Sequence, residues 1–143
     1  PAQPATLVAA RERLRQWLQR QGLGAGDITL DNGSGLSRAE RGRPRALVQL
    51  LRRAWLAGEP RHFLDSLPVA GVDGTLAHRL QGGAAAGHAH LKTGTLLDAR
   101  ALAGYVRARS GRVHAVAVLV NHPDAGRATG AIDAVIESLA RHG

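Results

Sequence analysis

The sequence predicts an α+β fold, in which helices pack on an antiparallel sheet. Three observations support this prediction. Apolar residues recur at helical spacing in three long segments, the interval 90–121 contains three successive β-rich segments, and a Gly-containing turn separates the last two of them. Because neither an internal repeat nor a low-complexity stretch interrupts the pattern, residues 1–143 are expected to fold as one unit or as part of one.

The chain begins with a predicted helix followed by a short strand. Residues 5–21 place one apolar stripe on a helix, and Gly22 and Gly24 are expected to end it. The β-branched segment 27–30 predicts a strand, which the turn residues 31–35 terminate. The apolar stripe of the helix consists of Leu7, Val8, Leu14, Trp17 and Leu18.

A second helix and an irregular segment follow. The helix is expected to begin near Pro44, because proline is favoured in the first helical turn, and to end near Gly58. Residues 60–86 are rich in Pro and Gly with only two short apolar turns, so we expect short helices and loops there.

The last third of the chain is predicted to form the sheet and a closing helix. Residues 90–96, 101–109 and 112–121 read as strands, and Ser110-Gly111 predicts a two-residue hairpin between the second and third. Apolar residues at helical spacing predict a helix over residues 125–142.

The composition suits one core of ordinary size. Of the 143 residues, 44% are hydrophobic but only 3% are aromatic, so the core should consist mainly of Leu, Val and Ala. Its few large anchors are expected to be Trp17, Trp55, Phe63 and Tyr105. The sequence contains no stretch of 18 uninterrupted apolar residues, so no transmembrane helix is predicted. The absence of cysteine excludes disulfides. Since the chain starts without Met and without a signal-peptide pattern, we expect it to be cut from a longer protein.

The positive charge is dispersed along the chain. The formal net charge is +8, and arginines occur in almost every segment without aromatic residues on which bases could stack. A nucleic-acid partner is therefore not expected, although a basic nucleic-acid-binding domain remains the weakest of the alternatives. Of the 19 cationic residues only Lys92 is a lysine, which points to a site that needs a compact ammonium rather than a guanidinium.

Lys92-Thr93-Gly94-Thr95 is the best candidate for a binding site. It lies in the first predicted strand of the sheet, where Gly94 lets a ligand approach the backbone and hydroxyls flank it. A cation with hydroxyls on an edge strand suits a carboxylate. Lys-Thr-Gly is one of three motifs of penicillin-binding proteins, but a match of three residues is also common in ordinary strands.

Four segments in order strengthen this interpretation. Asp31-Asn32-Gly33-Ser34-Gly35-Leu36-Ser37-Arg38 resembles an Asp-Gly-Ser-Gly-Leu-Ser-Arg motif, with Asn32 as an extra residue or a replacement. The others are Leu67-Pro68-Val69-Ala70-Gly71-Val72-Asp73-Gly74-Thr75-Leu76, Leu91 to Leu96, and Ala103-Gly104-Tyr105. Together they make the chain similar to the D-alanyl-D-alanine carboxypeptidase/endopeptidases of the penicillin-binding protein 4 type.

The resemblance implies a fold, a location and a reaction. The chain would be the C-terminal part of a penicillin-binding-protein/beta-lactamase-like transpeptidase domain, in the periplasm. In such enzymes a serine attacks peptidoglycan stem peptides ending in D-Ala-D-Ala, or peptide cross-links, and forms an acyl-enzyme. Beta-lactams acylate the same serine, and no cofactor is expected.

The resemblance also implies roles for four residues. Lys92 would supply a positive field near the substrate carboxylate and hydrogen-bond toward the serine of Ser-x-Asn. The hydroxyls of Thr93 and Thr95 would bind the carboxylate, and the Thr95 backbone N–H would be an oxyanion-hole donor. Gly94 would keep the strand bare for the ligand.

Two motifs of these enzymes are absent. With Lys92 as the only lysine and Ala89 three residues before it, the chain contains no Ser-x-x-Lys, and none of its five serines begins a Ser-x-Asn. The chain alone is therefore expected to be inactive, with activity belonging to the complete protein. The alternative is an inactive, truncated relative that binds peptidoglycan peptides or a partner protein.

Other polar residues have ordinary interpretations. Ser34 lacks the Gly-x-Ser-x-Gly context of a nucleophile elbow and is expected to be a turn residue. His88 and His90 alternate on one strand face as zinc ligands do, but no third ligand stands at a suitable spacing, so a surface-strand role is favoured. Asp73 is expected to stabilise a turn or cap a helix, with a direct site role as the lesser alternative.

Overall fold

The computed structural model describes residues 5–58 and 60–143 and confirms the α+β fold. Its helices are α1 (Leu7–Arg20), α2 (Pro44–Leu56), α3 (Pro60–Asp65) and α4 (Thr129–His142), with short 3-10 turns at Gly74–Leu76 and Ala125–Ala128. Its strands are β1 (Ile28–Thr29), β2 (Arg41–Gly42), β3 (Ala89–Leu96), β4 (Ala99–Arg107) and β5 (Val113–Asn121). Within the described ranges, no helix is both long and apolar enough to cross a bilayer.

The three long strands form an antiparallel sheet enclosed between helices. The strand order is β3, β4, β5, and a separate ribbon joins β1 to β2. α4 covers one face, on which Leu91, Leu102 and Ile136 are fully buried. α2 covers the other face, where the Tyr105 hydroxyl donates to the Leu51 carbonyl oxygen at 2.7 Å. Alternate residues of each strand therefore belong to different helical layers.

The helix boundaries follow the local sequence signals. The Thr6 hydroxyl accepts the Ala9 N–H at 3.2 Å and caps α1, and Gly22 adopts a φ of 73° just beyond its end. α2 begins at Pro44, as expected. The closing helix differs from the prediction in one respect: a 3-10 turn occupies its first residues, so the regular helix begins at Thr129.

The turn between β4 and β5 is not the predicted two-residue hairpin at Ser110-Gly111. The Ala108 N–H donates to the Arg112 carbonyl oxygen at 2.8 Å, and the Gly111 N–H donates to the Ala108 carbonyl oxygen at 2.9 Å. These bonds enclose a three-residue loop, residues 109–111, in which Gly111 has a φ of 86°. A tight turn followed by a left-handed residue matches the strand twist, and glycine adopts that conformation without a steric penalty.

The core contains fewer aromatic side chains than predicted. Tyr105 is 3% exposed, and burial raises the pKa of its hydroxyl above the ordinary value of 10.0. Trp55 is half-buried and packs against Tyr105 in a tilted arrangement, with ring centroids 5.3 Å apart. The prediction was wrong for Trp17 and Phe63, which are 44% and 41% exposed. Trp17 lies on α1, whose one buried residue, Leu18, packs in a separate small cluster rather than on the sheet.

The outer edge of β3 is closed in its first half and open in its second. The Leu91 N–H donates to the Pro68 carbonyl oxygen at 2.8 Å, and the Ala89 carbonyl oxygen accepts the Ala70 N–H at 2.9 Å. The N–H and C=O groups of successive residues point to opposite sides of a strand, so those of Thr93 and Thr95, like those of Leu91, point away from β4. Among residues 5–58 and 60–143, no backbone group pairs with β3 at these two threonines.

Amide hydrogen exchange should reveal this division. In the 143-residue chain we expect the Leu91 amide to exchange slowly and the Thr93 and Thr95 amides to exchange quickly, because only the first is hydrogen-bonded. The amides of Lys92 and Gly94, which face β4, serve as protected controls within the same strand. Residue-resolved exchange measured by NMR provides the test. Slow exchange at Thr95 would contradict an open edge.

Gly104 should be one of the residues on which the sheet most depends. It lies opposite Leu91 with a φ of 152°, and a Cβ there would overlap the His90 carbonyl oxygen and lie 2.9 Å from Leu91 Cα. Gly104→Ala should lower the free energy of unfolding by about 3 kcal/mol, measured by urea denaturation. The control Gly130→Ala, at an open position in α4, should raise it by about 0.5 to 1 kcal/mol. Equal stability of the two variants would contradict this register.

Candidate functional site

Lys92, Thr93, Gly94 and Thr95 occupy the open half of β3. Lys92, Gly94 and Thr95 are exposed, and Thr93 is partly buried. By strand alternation the two threonine side chains project toward the α4 side of the sheet, whereas Lys92 projects toward the α2 side. The four residues that the sequence singled out therefore lie together at a strand edge, and three of them are exposed.

The Lys92 ammonium reaches over this edge. Its Nζ atom donates to the Thr93 carbonyl oxygen at 2.8 Å, one of the backbone groups that point away from β4. The ammonium thus lies on the same edge as the outward N–H of Thr95, although the Lys92 side chain begins on the opposite face from the threonine hydroxyls. A positive charge and an N–H donor on one exposed edge can bind an anion.

Gly94 leaves the strand bare between the two threonines. A Cβ at this position would lie 3.2 Å from the Ala101 side chain on β4, closer than ordinary van der Waals contact. A side chain here would require Ala101 to shift by a few tenths of an ångström, and the absence of one leaves the backbone accessible.

Thr75 joins the site and was not singled out by sequence reasoning. Its Oγ1 atom lies 2.8 Å from Thr93 Oγ1, so the two hydroxyls are hydrogen-bonded. Thr75 belongs to the segment 67–76, whose similarity to a family motif was the only signal in the sequence. The pairing itself joins residues 18 positions apart and has no local pattern.

Asp73 fixes the turn that presents Thr75. Its Oδ1 atom accepts the Val69 N–H at 2.6 Å, and its carbonyl oxygen accepts the Leu76 N–H at 3.1 Å. Gly74, with a φ of 52°, makes the turn directly before Thr75. These contacts support the predicted structural role of Asp73 in a turn.

The motif at residues 31–38 is tied to the far end of β3. Asp31 accepts hydrogen bonds from Arg11 and from the Ser37 hydroxyl, the latter at 2.5 Å, and Arg38 forms an ion pair with Asp98 in the β3–β4 turn. A cleft of about 750 Å³ beside this loop includes Leu96 but none of residues 92–95. This cleft therefore lies next to the candidate site rather than at it.

Ser34, His88 and His90 show no arrangement suited to catalysis among the described residues. The Ser34 hydroxyl accepts the Leu36 N–H at 3.1 Å, as expected of a turn residue. His88 is exposed, but His90 is partly buried, and its Nδ1 atom has no hydrogen-bond partner in the part of the chain that is described. Both line a cavity of about 50 Å³ beside Trp55. Across the described residues, no three His, Cys, Asp or Glu side chains form a cluster that could hold a metal ion.

Known proteins are similar to this chain in sequence, and solved structures are similar to it in fold. A D-alanyl-D-alanine carboxypeptidase of Actinomadura sp. is 38% identical over 127 residues, which are 85% of this chain and 23% of that protein. Penicillin binding protein 4 (dacB) from Haemophilus influenzae, in a crystal structure complexed with a beta-lactam, superposes with a TM-score of 0.73 at 29% identity, covering 83% of this chain and 28% of that one.

A second crystal structure of the Haemophilus protein covers more of the fold. It superposes with a TM-score of 0.84 at 24% identity over 98% of this chain and 33% of its own. The chain thus spans about a quarter to a third of the length of these proteins. The family model of the D-Ala-D-Ala carboxypeptidase 3 (S13) family matches residues 1–142. From the strand motif, the fold and this match, we conclude that the chain belongs to the D-Ala-D-Ala carboxypeptidase 3 (S13) family.

Proposed function

We propose that this chain forms the substrate-binding strand of a serine-type D-alanyl-D-alanine carboxypeptidase/endopeptidase whose nucleophile lies on another segment of a longer protein. The observation that supports this proposal most directly is the open edge of β3. It brings together the Lys92 ammonium, the hydroxyls of Thr93 and Thr95, and an outward Thr95 N–H. Family membership supplies the reaction class.

In the proposed complex, β3 binds the C-terminal end of a peptidoglycan stem peptide. The Thr93 and Thr95 hydroxyls donate to the terminal carboxylate, and Lys92 contributes a positive field beside it. The backbone of the ligand lies against Gly94. These contacts hold the scissile bond between the two terminal D-alanines in a fixed position relative to the edge.

The proposed reaction then proceeds through an acyl-enzyme intermediate. The serine oxygen attacks the carbonyl carbon of the penultimate D-alanine, the C–N bond breaks, and the terminal D-alanine leaves after taking up a proton. Water hydrolyses the resulting ester. In the tetrahedral intermediate the negative oxygen accepts the Thr95 N–H, which is already directed outward before the ligand arrives.

Beta-lactams are the second proposed class of ligand. They combine a reactive amide with a nearby carboxylate, so the same edge can bind them, and the Haemophilus relative was crystallised with one. A cell-wall substrate implies action outside the cytoplasm, and we propose the periplasm. The proposed reaction requires no cofactor, since serine, lysine and backbone donors supply each step.

A non-catalytic binding module is the alternative. The 143 residues contain neither Ser-x-x-Lys nor Ser-x-Asn, so the chain by itself could bind peptidoglycan peptides or a partner protein through the β3 edge without cleaving anything. The two proposals differ in whether a nucleophile meets this edge in the complete protein.

Acylation by benzylpenicillin separates them. The 143-residue chain should form no covalent adduct, because it lacks both the nucleophilic serine and the lysine of a Ser-x-x-Lys motif. The complete protein should gain the mass of one benzylpenicillin. Intact-mass spectrometry measures both. An unmodified complete protein would support the binding module, and a stoichiometric adduct on Ser34 or Ser37 of the isolated chain would contradict our assignment of the nucleophile.

Thr95→Val should impair acylation of the complete protein without unfolding it. Loss of a hydrogen bond to a charged group costs about 1.5 to 3 kcal/mol, so the second-order acylation rate should fall roughly 10- to 150-fold. Valine keeps the β-branched shape, and the melting temperature should change little. Thr6→Val, which removes a hydroxyl at the start of α1, is the matched control and should leave the rate unchanged. An unaltered rate in Thr95→Val would assign that residue a purely structural role.

A further inference from the structure

Thr75 stands beside the proposed carboxylate site on an element of its own. It is exposed and lies in the 3-10 turn Gly74–Leu76, next to the open half of β3, with its Oγ1 2.8 Å from Thr93 Oγ1. No backbone pairing of β3 extends this far along its outer edge within the described residues. The hydroxyl pair is therefore the contact that connects this turn to β3 at Thr93.

The backbone of Thr75 is held firmly although its side chain is exposed. The next residue, Leu76, is fully buried in the core between β3 and α4. The Leu76 carbonyl oxygen accepts the Gly71 N–H at 3.0 Å, and Asp73 closes the same turn by accepting the Val69 N–H. An anchored backbone lets the short Thr75 side chain fix the rotamer of its partner, because neither hydroxyl needs a large loss of side-chain entropy to keep the bond.

The number of protons in the pair determines what Thr93 can do. Each hydroxyl has one proton to donate and two lone pairs to accept with. If Thr93 donates to Thr75, it has no proton left for an anion. If Thr75 donates to Thr93, the only proton of Thr93 is available for a ligand carboxylate, and its oxygen is already satisfied. A bound carboxylate, which can only accept, selects the second arrangement.

We propose that Thr75 is a positioning residue that directs the Thr93 hydroxyl toward the ligand carboxylate, and thereby favours ligands with a free carboxylate over ligands in which that group is esterified. This inference rests on the proposed function. The hydrogen bond from Thr75 to Thr93 polarises the one from Thr93 to the carboxylate. The Thr93 hydroxyl is therefore a stronger hydrogen-bond donor with Thr75 present than without it.

The test compares benzylpenicillin with its methyl ester as acylating agents of the complete protein. The measured quantity is the ratio of their second-order acylation rates, in which the concentration of folded active protein cancels. Thr75→Val should lower this acid-to-ester ratio about fivefold, because a hydrogen bond to a neutral donor is lost one step away from the charge. Thr75→Ser, which retains the hydroxyl, should keep the ratio within about twofold of the unmodified protein.

A double-mutant cycle identifies the route of the effect. Thr93→Val alone should lower the ratio more than Thr75→Val does, and adding Thr75→Val to Thr93→Val should change it no further. A further decrease in the double variant would mean that Thr75 touches the ligand itself, which overturns a role that acts through Thr93. Thr6→Val again serves as the matched control.

The remaining outcomes are distinguishable. If the complete protein is acylated but Thr75→Val leaves the acid-to-ester ratio unchanged, this inference fails and the proposed function stands. If Thr75→Val and Thr75→Ser lower the rates for acid and ester equally, Thr75 has only a structural role and the inference also fails. A complete protein that reacts with neither compound overturns the proposed function, and this inference with it.

Discussion

The hydrogen bond from the Leu91 N–H to the Pro68 carbonyl oxygen divides β3 into a covered half and an exposed half. Before Leu91, residues 68–70 occupy the outer edge of the strand as a further strand would. Beyond Leu91, no backbone hydrogen bond of the described residues continues this pairing, and the Thr75 hydroxyl contacts that of Thr93. The position at which the edge opens therefore depends on where this segment leaves the strand.

The later part of the irregular segment, residues 79–85, is held in place by α4. Glu137 accepts the N–H groups of Ala84 and Ala85 at 2.8 and 3.2 Å, and Arg79 is paired with Asp133 at 2.5 Å. A side chain on Gly83 would overlap the Glu137 carboxylate. These contacts add to the turn hydrogen bonds that the irregular segment makes within itself. α4 thus fixes residues 79–85, which follow the turn that carries Thr75.

Much of this architecture could be predicted from the sequence. The helices and the three long strands have clear apolar periodicity, and the strand motif at Lys92 located the candidate site. The arrangement of irregular segments could not be predicted, because it depends on contacts between residues far apart in the chain, such as Arg38 with Asp98 and Thr75 with Thr93. The exposure of Trp17 was missed for a related reason. An apolar stripe indicates that a helix has a buried face, but not which neighbour covers it or how completely.

The position of Lys92 has a consequence for the behaviour of the open edge toward other strands. Exposed strand edges with unpaired N–H and C=O groups are templates for edge-to-edge aggregation, and a lysine on such an edge is a common protection against it. Here the Lys92 ammonium already donates to the Thr93 carbonyl oxygen, one of the acceptors that an incoming strand would need. A strand from another molecule would have to displace this ammonium and remove it from water, which is costly. A small anionic ligand can bind without removing the ammonium from water, and the positive charge of Lys92 attracts it.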